Sequence, residues 1–271
     1  MQHAKMVLVE GSNVAENHPM AFKWIRKAQE NGAKIIHVDP RFTRTSATAD
    51  IYARIRPGTD AAFLNTMINH ILANKLYDED FVKIHTNALF LGAADFDFKD
   101  GLFSGFDEQK HSYDTKTWGY QLGPNGKPRI ATSLDDPHCV FTRLKTFVSR
   151  YTLEMGERIT GIPAMQIREI AETMAKNRPG TILYALGMTQ HTTGVQGIRA
   201  FTILQLLLGN MGKPGSGVNA LRGEPNVQGA CDMEVLNNYL LTRLPGLPGA
   251  HGTHPRGLYT KERDRRPPIL D

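Results

Sequence analysis

Cysteine is nearly missing from this 271-residue chain: Cys139 and Cys231 stand far apart and in no CxxC pair. That excludes a disulfide framework, and also an iron–sulfur cluster or zinc ion held by the chain's own thiolates. Long apolar runs are missing too. The longest, residues 201–208, is interrupted by Gln205 and falls well short of the roughly 20 residues a membrane helix needs; no direct membrane insertion is expected. Met1-Gln-His-Ala-Lys5 has no secretory pattern and passes straight into a strand pattern. The net charge of +5 is spread along the chain without a Lys/Arg block or interleaved aromatics. Nucleic acid is therefore not expected as a partner, while a small anionic ligand is compatible. The glycine fingerprint GxGxxG is absent, which disfavours a nicotinamide cofactor.

What is present is a packed α/β pattern, with 41% hydrophobic and 22% charged residues. Residues 5–10 (KMVLVE) read as a buried strand, followed by the loop 11–18 and a helix that Pro19 opens and Asn31-Gly32 ends. Ala21, Trp24, Ile25 and Ala28 recur at helical spacing, and Trp24 reads as core. Residues 34–38 (KIIHV) form a second strand ending at Asp39. The resulting β-loop-α-β unit requires a parallel sheet. A short strand over 51–55 is closed by Pro57-Gly58, and Thr59 or Asp60 caps a helix with an apolar stripe of Phe63, Met67, Ile68 and Ile71.

Residues 81–84 belong to a short helix. Residues 96–133, rich in Gly, Asp, Lys and aromatics, read as a surface insertion with one hairpin. Helices follow over 139–151 and 163–177, then a strand over 181–186, a loop over 188–194 and a helix over 195–208. Residues 219–232 read as polar and irregular.

In open α/β sheets, ligands bind beyond the carboxyl ends of the strands, where helix N-termini offer free N–H groups to phosphate. The loop 11–18 has that position and adds Ser12, Asn13, Glu16 and Asn17 as hydrogen-bonding groups. Asp39 ends a strand where a carboxylate accepts ribose hydroxyls, and Arg41 suits a phosphate or a base. The residues alone point to a nucleotide-type ligand. Blander roles stand beside these. Asn and Ser in turns cap backbone, His18 and Asp60 suit helix caps, His37 suits a satisfied core histidine, and Met188 suits packing.

Five segments in order break the tie. Gly11-Ser-Asn-Val-Ala-Glu-Asn-His-Pro19 is followed by Val38-Asp-Pro-Arg-Phe-Thr-Arg-Thr45, Arg56-Pro-Gly-Thr-Asp60, Gly187-Met-Thr-Gln-His191 and Leu221-Arg-Gly-Glu-Pro-Asn-Val-Gln-Gly229. Together they resemble the molybdopterin oxidoreductase superfamily, specifically its formate dehydrogenase branch, over almost the whole chain until about Asn238. The AENHP and RGEPNVQG segments favour that branch over a nitrate reductase.

The resemblance implies a Rossmann-like parallel sheet that cradles one of two pterin guanine dinucleotides (bis-MGD). The pair holds molybdenum or tungsten, and the enzyme oxidises formate to carbon dioxide. It implies cofactor contacts from Gly11, Ser12, Asn13, Glu16, Asn17, His18, Asp39, Arg41, Gly58, Asp60, Gly187, Met188, Gln190 and His191, with Arg222 facing formate. It implies an iron–sulfur electron-transfer subunit as partner and, as in the nearest relatives, a periplasmic enzyme.

The family's cluster cysteines, and the selenocysteine or cysteine that ligates the metal, precede this region and are not in the chain. A selenocysteine codon taken for a stop would produce such a start. The expected organisation is a dinucleotide-binding domain over 1–224 and the beginning of a second α/β domain over 225–271, inactive by itself. A non-catalytic nucleotide-binding or assembly module is the rival reading.

Overall fold

The computed structural model describes residues 1–99 and 101–223. The chain divides into two units, Met1–Ala220 and Leu221–Asp271. Of the second, only residues 221–223 are described, so the domain expected over 225–271 lies outside the described residues.

The first unit is an α/β fold on a five-stranded parallel sheet. Its elements run β1 (Met6–Glu10), α1 (Val14–Asn17), α2 (Pro19–Glu30), β2 (Lys34–Val38), β3 (Ile51–Ala53), α3 (Asp60–Ala73) and α4 (Glu79–His85). Four two-residue strands follow: β4 (Phe98–Lys99), β5 (Leu102–Phe103), β6 (Phe106–Asp107) and β7 (Ser112–Tyr113). The chain then forms α5 (Val140–Val148), α6 (Leu153–Thr160), α7 (Ala164–Lys176), β8 (Gly180–Tyr184), α8 (Leu186–Thr189), α9 (Gly194–Leu207) and β9 (Gly217–Ala220).

The strand order is β3-β2-β1-β8-β9. The chain builds outward from β1 to β3, crosses to the far side of β1 and builds outward again, which leaves a switch point between β1 and β8. The strands are apolar because both faces of such a sheet are covered. Met6, Leu8, Ile36, Val38 and Ile182 join one core with Phe63, Met67 and Ile71 of α3, Ile167 and Ile170 of α7, and Phe201 and Leu204 of α9. Alternate residues Val7, Val9 and Ile35 are equally buried and turn to the opposite face, where α2 lies against β2 and buries Ile25 and Ala28.

Several boundaries differ from the sequence reading. The segment 139–151 is α5 alone, and α6 is a separate helix. The Thr152 hydroxyl accepts the Met155 N–H at 3.2 Å to cap it, and Gly161 ends it at φ 76°. β8 stops at Tyr184, because Leu186 already starts the single turn α8. The segment read as irregular from 219 opens in β9, paired to β8 in register from Thr181↔Gly217 to Tyr184↔Ala220. The aromatic-rich segment carries two hairpins, β4–β5 and β6–β7, instead of one. Trp24 is not core: it is 44% exposed with Lys23 over its ring. The buried stripe of α2 narrows to Ile25 and Ala28, and Trp24 lies at the edge of it, about 100° of helix from Ile25.

Candidate functional site

The strands end flush. Glu10 pairs with Val38 and with Tyr184, and Val38 pairs with Ala53. The loops 11–18, 39–50, 54–59 and 185–193 therefore leave one edge of the sheet. Every candidate residue from Gly11 to His191 lies on those loops or in the first turn of a helix beyond them.

At the centre, beside the switch point, two glycine backbones touch. Gly11, at φ +63°, donates its N–H to the Val38 carbonyl at 3.1 Å and accepts the Gly187 N–H at 3.1 Å. A Cβ on Gly187 would lie 2.6 Å from the Gly11 carbonyl oxygen, and one on Gly11 would run into the Met188 backbone nitrogen. The two loops can meet this closely only because neither carries a side chain there. Met188 is buried with its methyl against Gly197 and its N–H on the Ala185 carbonyl, so the packing role fits it. Gly187 and Gln190 are exposed, and the His191 ring donates Nε2–H to the Gly187 carbonyl at 3.1 Å.

The loop after β1 is tied to the loop after β2. The Asn13 amide donates to Glu16, and its oxygen accepts the Thr45 hydroxyl at 3.0 Å. Thr45 Oγ1 also accepts the Ala15 N–H at 3.0 Å, and Arg44 pairs with Glu16 at 3.3 Å. Asn17 bonds the His18 ring at 2.7 Å. His18 occupies the residue before α2 but makes no side-chain cap there.

His37 is the satisfied core histidine its strand position suggested. Its Nε2 donates to the Ser12 carbonyl at 3.1 Å. Its Nδ1 faces the Ser46 hydroxyl at 2.8 Å, whose oxygen already accepts the Thr43 N–H. In the neutral ring, with the proton on Nε2, Nδ1 accepts the Ser46 hydroxyl. Burial holds its pKa below the ordinary value, against the opposing pull of Asp39. The Asp39 carboxylate accepts the Arg41 N–H at 2.9 Å. Arg41 is exposed.

Beneath this edge lies a group the sequence reading passed over. Glu10 is fully buried, and neither of its oxygens closes a hydrogen bond of ordinary geometry. The carboxyl facing it is that of Asp60. Burial, and then the Asp60 charge, push Glu10 well above the usual carboxylate range, so it holds a proton. Asp60 is also raised by burial, and is partly drawn back by the N–H groups of its helix, by Glu10 and by His191. Asp60 is the first residue of α3 and not its cap, and Thr59 does not cap either, since its hydroxyl donates to the Arg56 carbonyl. The only sign of this pair in the sequence was a charge at the end of an otherwise apolar strand. The Ser12 hydroxyl is buried without a partner as well. Gly58, at φ +80°, lies beside the His191 ring. Arg222 belongs to the second unit and is exposed.

Among the described residues no group of three or more His, Cys, Asp or Glu could hold a metal ion, and no helix is long and apolar enough to cross a membrane. The edge suits a phosphate-linked dinucleotide. It offers bare glycine backbone at the switch point, a strand-end carboxylate and a buried hydroxyl without a partner.

Comparison with known proteins agrees with this architecture. The family model described as molybdopterin oxidoreductase matches residues 1–261. The chain is 48% identical over 244 residues to formate dehydrogenase 2 subunit alpha (cytochrome c-553) of Nitratidesulfovibrio vulgaris, covering 89% of this chain and 24% of that one. It is 47% identical over 251 residues to the nitrate-inducible formate dehydrogenase major subunit of Escherichia coli, covering 91% and 24%. The chain thus spans about a quarter of the length of these relatives. Among solved structures, acetylene hydratase from Pelobacter acetylenicus superposes with a TM-score of 0.56 at 24% identity, covering 79% of this chain and 23% of that one, a likeness of fold.

Proposed function

Given that this chain belongs to the molybdopterin oxidoreductase family, we propose that its sheet edge grips one of the two pterin guanine dinucleotides of a molybdenum- or tungsten-dependent formate dehydrogenase. The observation that carries this reading is the contact of the Gly11 and Gly187 backbones at the switch point. It keeps side chains off the switch point and leaves a bare surface where a pyrophosphate would rest. The metal–pterin group, when bound, supplies two-electron exchange with formate. The chain's own residues bind and orient. Asn13, Glu16 and Thr45 lock the phosphate-side loop, Asp39 accepts hydroxyl donors, and the neutral His37 joins the two loops. An iron–sulfur subunit takes the electrons in this reading.

Asp39 gives the direct test. In the longer subunit, Asp39→Ala is expected to lower dinucleotide retention while melting changes little, because charge-assisted hydrogen bonds to a ligand are worth about 1.5–3 kcal/mol. Full cofactor content together with a large melting loss would make Asp39 purely structural. The 271-residue chain alone, supplied with cofactor and a redox dye, is expected not to oxidise formate; formate-dependent dye reduction would overturn that.

In the same reading Arg222 orients formate through its planar fork of donors. In the metallated subunit Arg222→Lys is expected to raise KM and lower kcat, for a loss of about 100-fold in kcat/KM, with cofactor content unchanged. Parent-like kcat/KM in both the Lys and Ala variants would remove Arg222 from the substrate site.

A further inference from the structure

Away from the sheet edge, the hairpin segment and α5 enclose an open cleft of about 990 Å3. Its wall is a chain of rings. Phe98 meets Phe103 at 4.9 Å between centroids and Phe147 at 5.0 Å, and Phe103 meets Trp118 at 5.4 Å. Phe103 and Trp118 remain 37% and 41% exposed, an unusual amount for rings already stacked on one another. Two guanidiniums are set into this wall. Arg143 lies 5.0 Å from the Phe96 centroid and spends its terminal nitrogens on the Phe96 and Ala93 carbonyls. Arg150 sits against both Phe98 and Phe147, 4.8 and 4.7 Å from their centroids, with Nε donating to the Phe147 carbonyl.

Arg150 is exposed, and its described hydrogen bond uses Nε and not the two terminal nitrogens. The two lining aspartates, Asp95 and Asp97, form no described ion pair with either arginine, and Asp97 caps the Phe98 N–H. Among the described residues the lining contains neither Lys nor Glu.

We propose that this cleft docks a segment of another polypeptide that presents a carboxylate among apolar side chains, with the carboxylate on the Arg150 fork. Charge complementarity selects the acid. A guanidinium in contact with two rings loses less freedom on pairing than a free one, and its two terminal nitrogens match two carboxylate oxygens. Composition selects a protein: aromatics and arginine with Lys and Glu depleted is the signature of an interface core, where Trp, Tyr and Arg dominate binding energy. An open cleft buries a protruding segment better than a compact small molecule, which needs most of its surface enclosed.

The chain has two tryptophans, Trp118 in the cleft and Trp24 on α2, so each indole N–H is a separate reporter. The 271-residue chain, 15N-labelled at tryptophan, is titrated with the blocked tripeptide Phe-Asp-Leu and with its Asn counterpart. The expected result is a saturable shift of Trp118 with the Asp peptide, about tenfold weaker with the Asn peptide, while Trp24 stays fixed. Arg150→Gln removes the preference, Arg150→Lys restores part of it, and an unmoved Trp24 signal shows each variant is folded. Equal binding of the two peptides, a preference that survives Arg150→Gln, a parallel shift of Trp24 or no shift at all would overturn the proposal. Tighter binding of naphthalene-1-carboxylate than of the Asp peptide would do the same, by making the cleft a small-molecule pocket.

Discussion

Gly11→Val is expected to destabilise the first unit by about 2–5 kcal/mol, the sum of about 1–2 kcal/mol for a left-handed backbone and about 1–3 kcal/mol for overpacking. Valine at φ +63° is strained before any neighbour is considered. Its Cβ then meets the Met188 backbone nitrogen and lies 2.8 Å from the Gly187 carbonyl carbon, main-chain atoms that no rotamer change can move. Against a typical stability of roughly 5–15 kcal/mol, that loss separates β1 from β8 at the switch point. Gly32→Val is the control. Gly32 has φ +88° but nothing within 4 Å of a built Cβ, so it should show the backbone cost without the collision. Urea unfolding of the parent and both variants makes the comparison. Equal losses in the two variants would mean the loops are not in contact.

Why this edge could be found from sequence, and its interior could not, follows from the range of the interactions. Strands β1, β2 and β8 declare themselves as short apolar runs; β1 breaks at Gly11 and β2 at Asp39, and the run of β8 carries on to Gly187, three residues past the end of the strand. Local signals of this kind placed Gly11, Asp39 and Gly187 on strand ends. β9 has no such signal. Gly217 and Asn219 have little strand preference, and the segment is a strand because β8 offers it a ladder. The helix expected over 139–151 ran past the end of α5, and α6 went unread between it and the next helix, because the break at 149–152 contains no glycine or proline to mark a new start.

The Glu10–Asp60 pair joins positions fifty residues apart, and neither residue looks unusual in its own segment. Asp60 beside Thr59 resembles an ordinary helix cap, and only the burial of both carboxyls reveals otherwise. Trp24 erred in the other direction. Its size suggested core, whereas the phase of the helix turns it outward.

Glu10→Gln together with Asp60→Asn is expected to make stability rise with pH between about pH 4.5 and 6.5, where Glu10 and His37 act with opposite signs. Glu10 is raised in the folded state, so above its ordinary value of 4.5 the unfolded chain gives up a proton that the folded chain keeps. Its stabilisation is complete below pH 4.5 and drains away as pH rises toward the folded value, with a limiting slope of about 1.4 kcal/mol per pH unit for one proton. Asp60, raised from 3.8, adds the same sign.

His37 is lowered from 6.5, so the unfolded chain takes up a proton the folded chain refuses. Its contribution is complete above pH 6.5 and is lost on acidification. In the parent the carboxyl pair masks the histidine. With glutamine at position 10 and asparagine at position 60, the His37 limb stands alone and stability rises with pH across that window. Glu172, held to about 2 by Arg168 and Lys176, titrates below the window and leaves this comparison alone. Glu10→Leu, which removes the buried unpartnered oxygens altogether, is expected to gain about 1–3 kcal/mol at pH 8, the cost of a buried polar group without a hydrogen bond. Unfolding curves at closely spaced pH values on parent, Glu10→Gln, the double variant and Glu10→Leu decide it. A parent and a double variant with the same slope would show that Glu10 does not keep its proton, and that an oppositely charged or hydrogen-bonding group reaches it in solution.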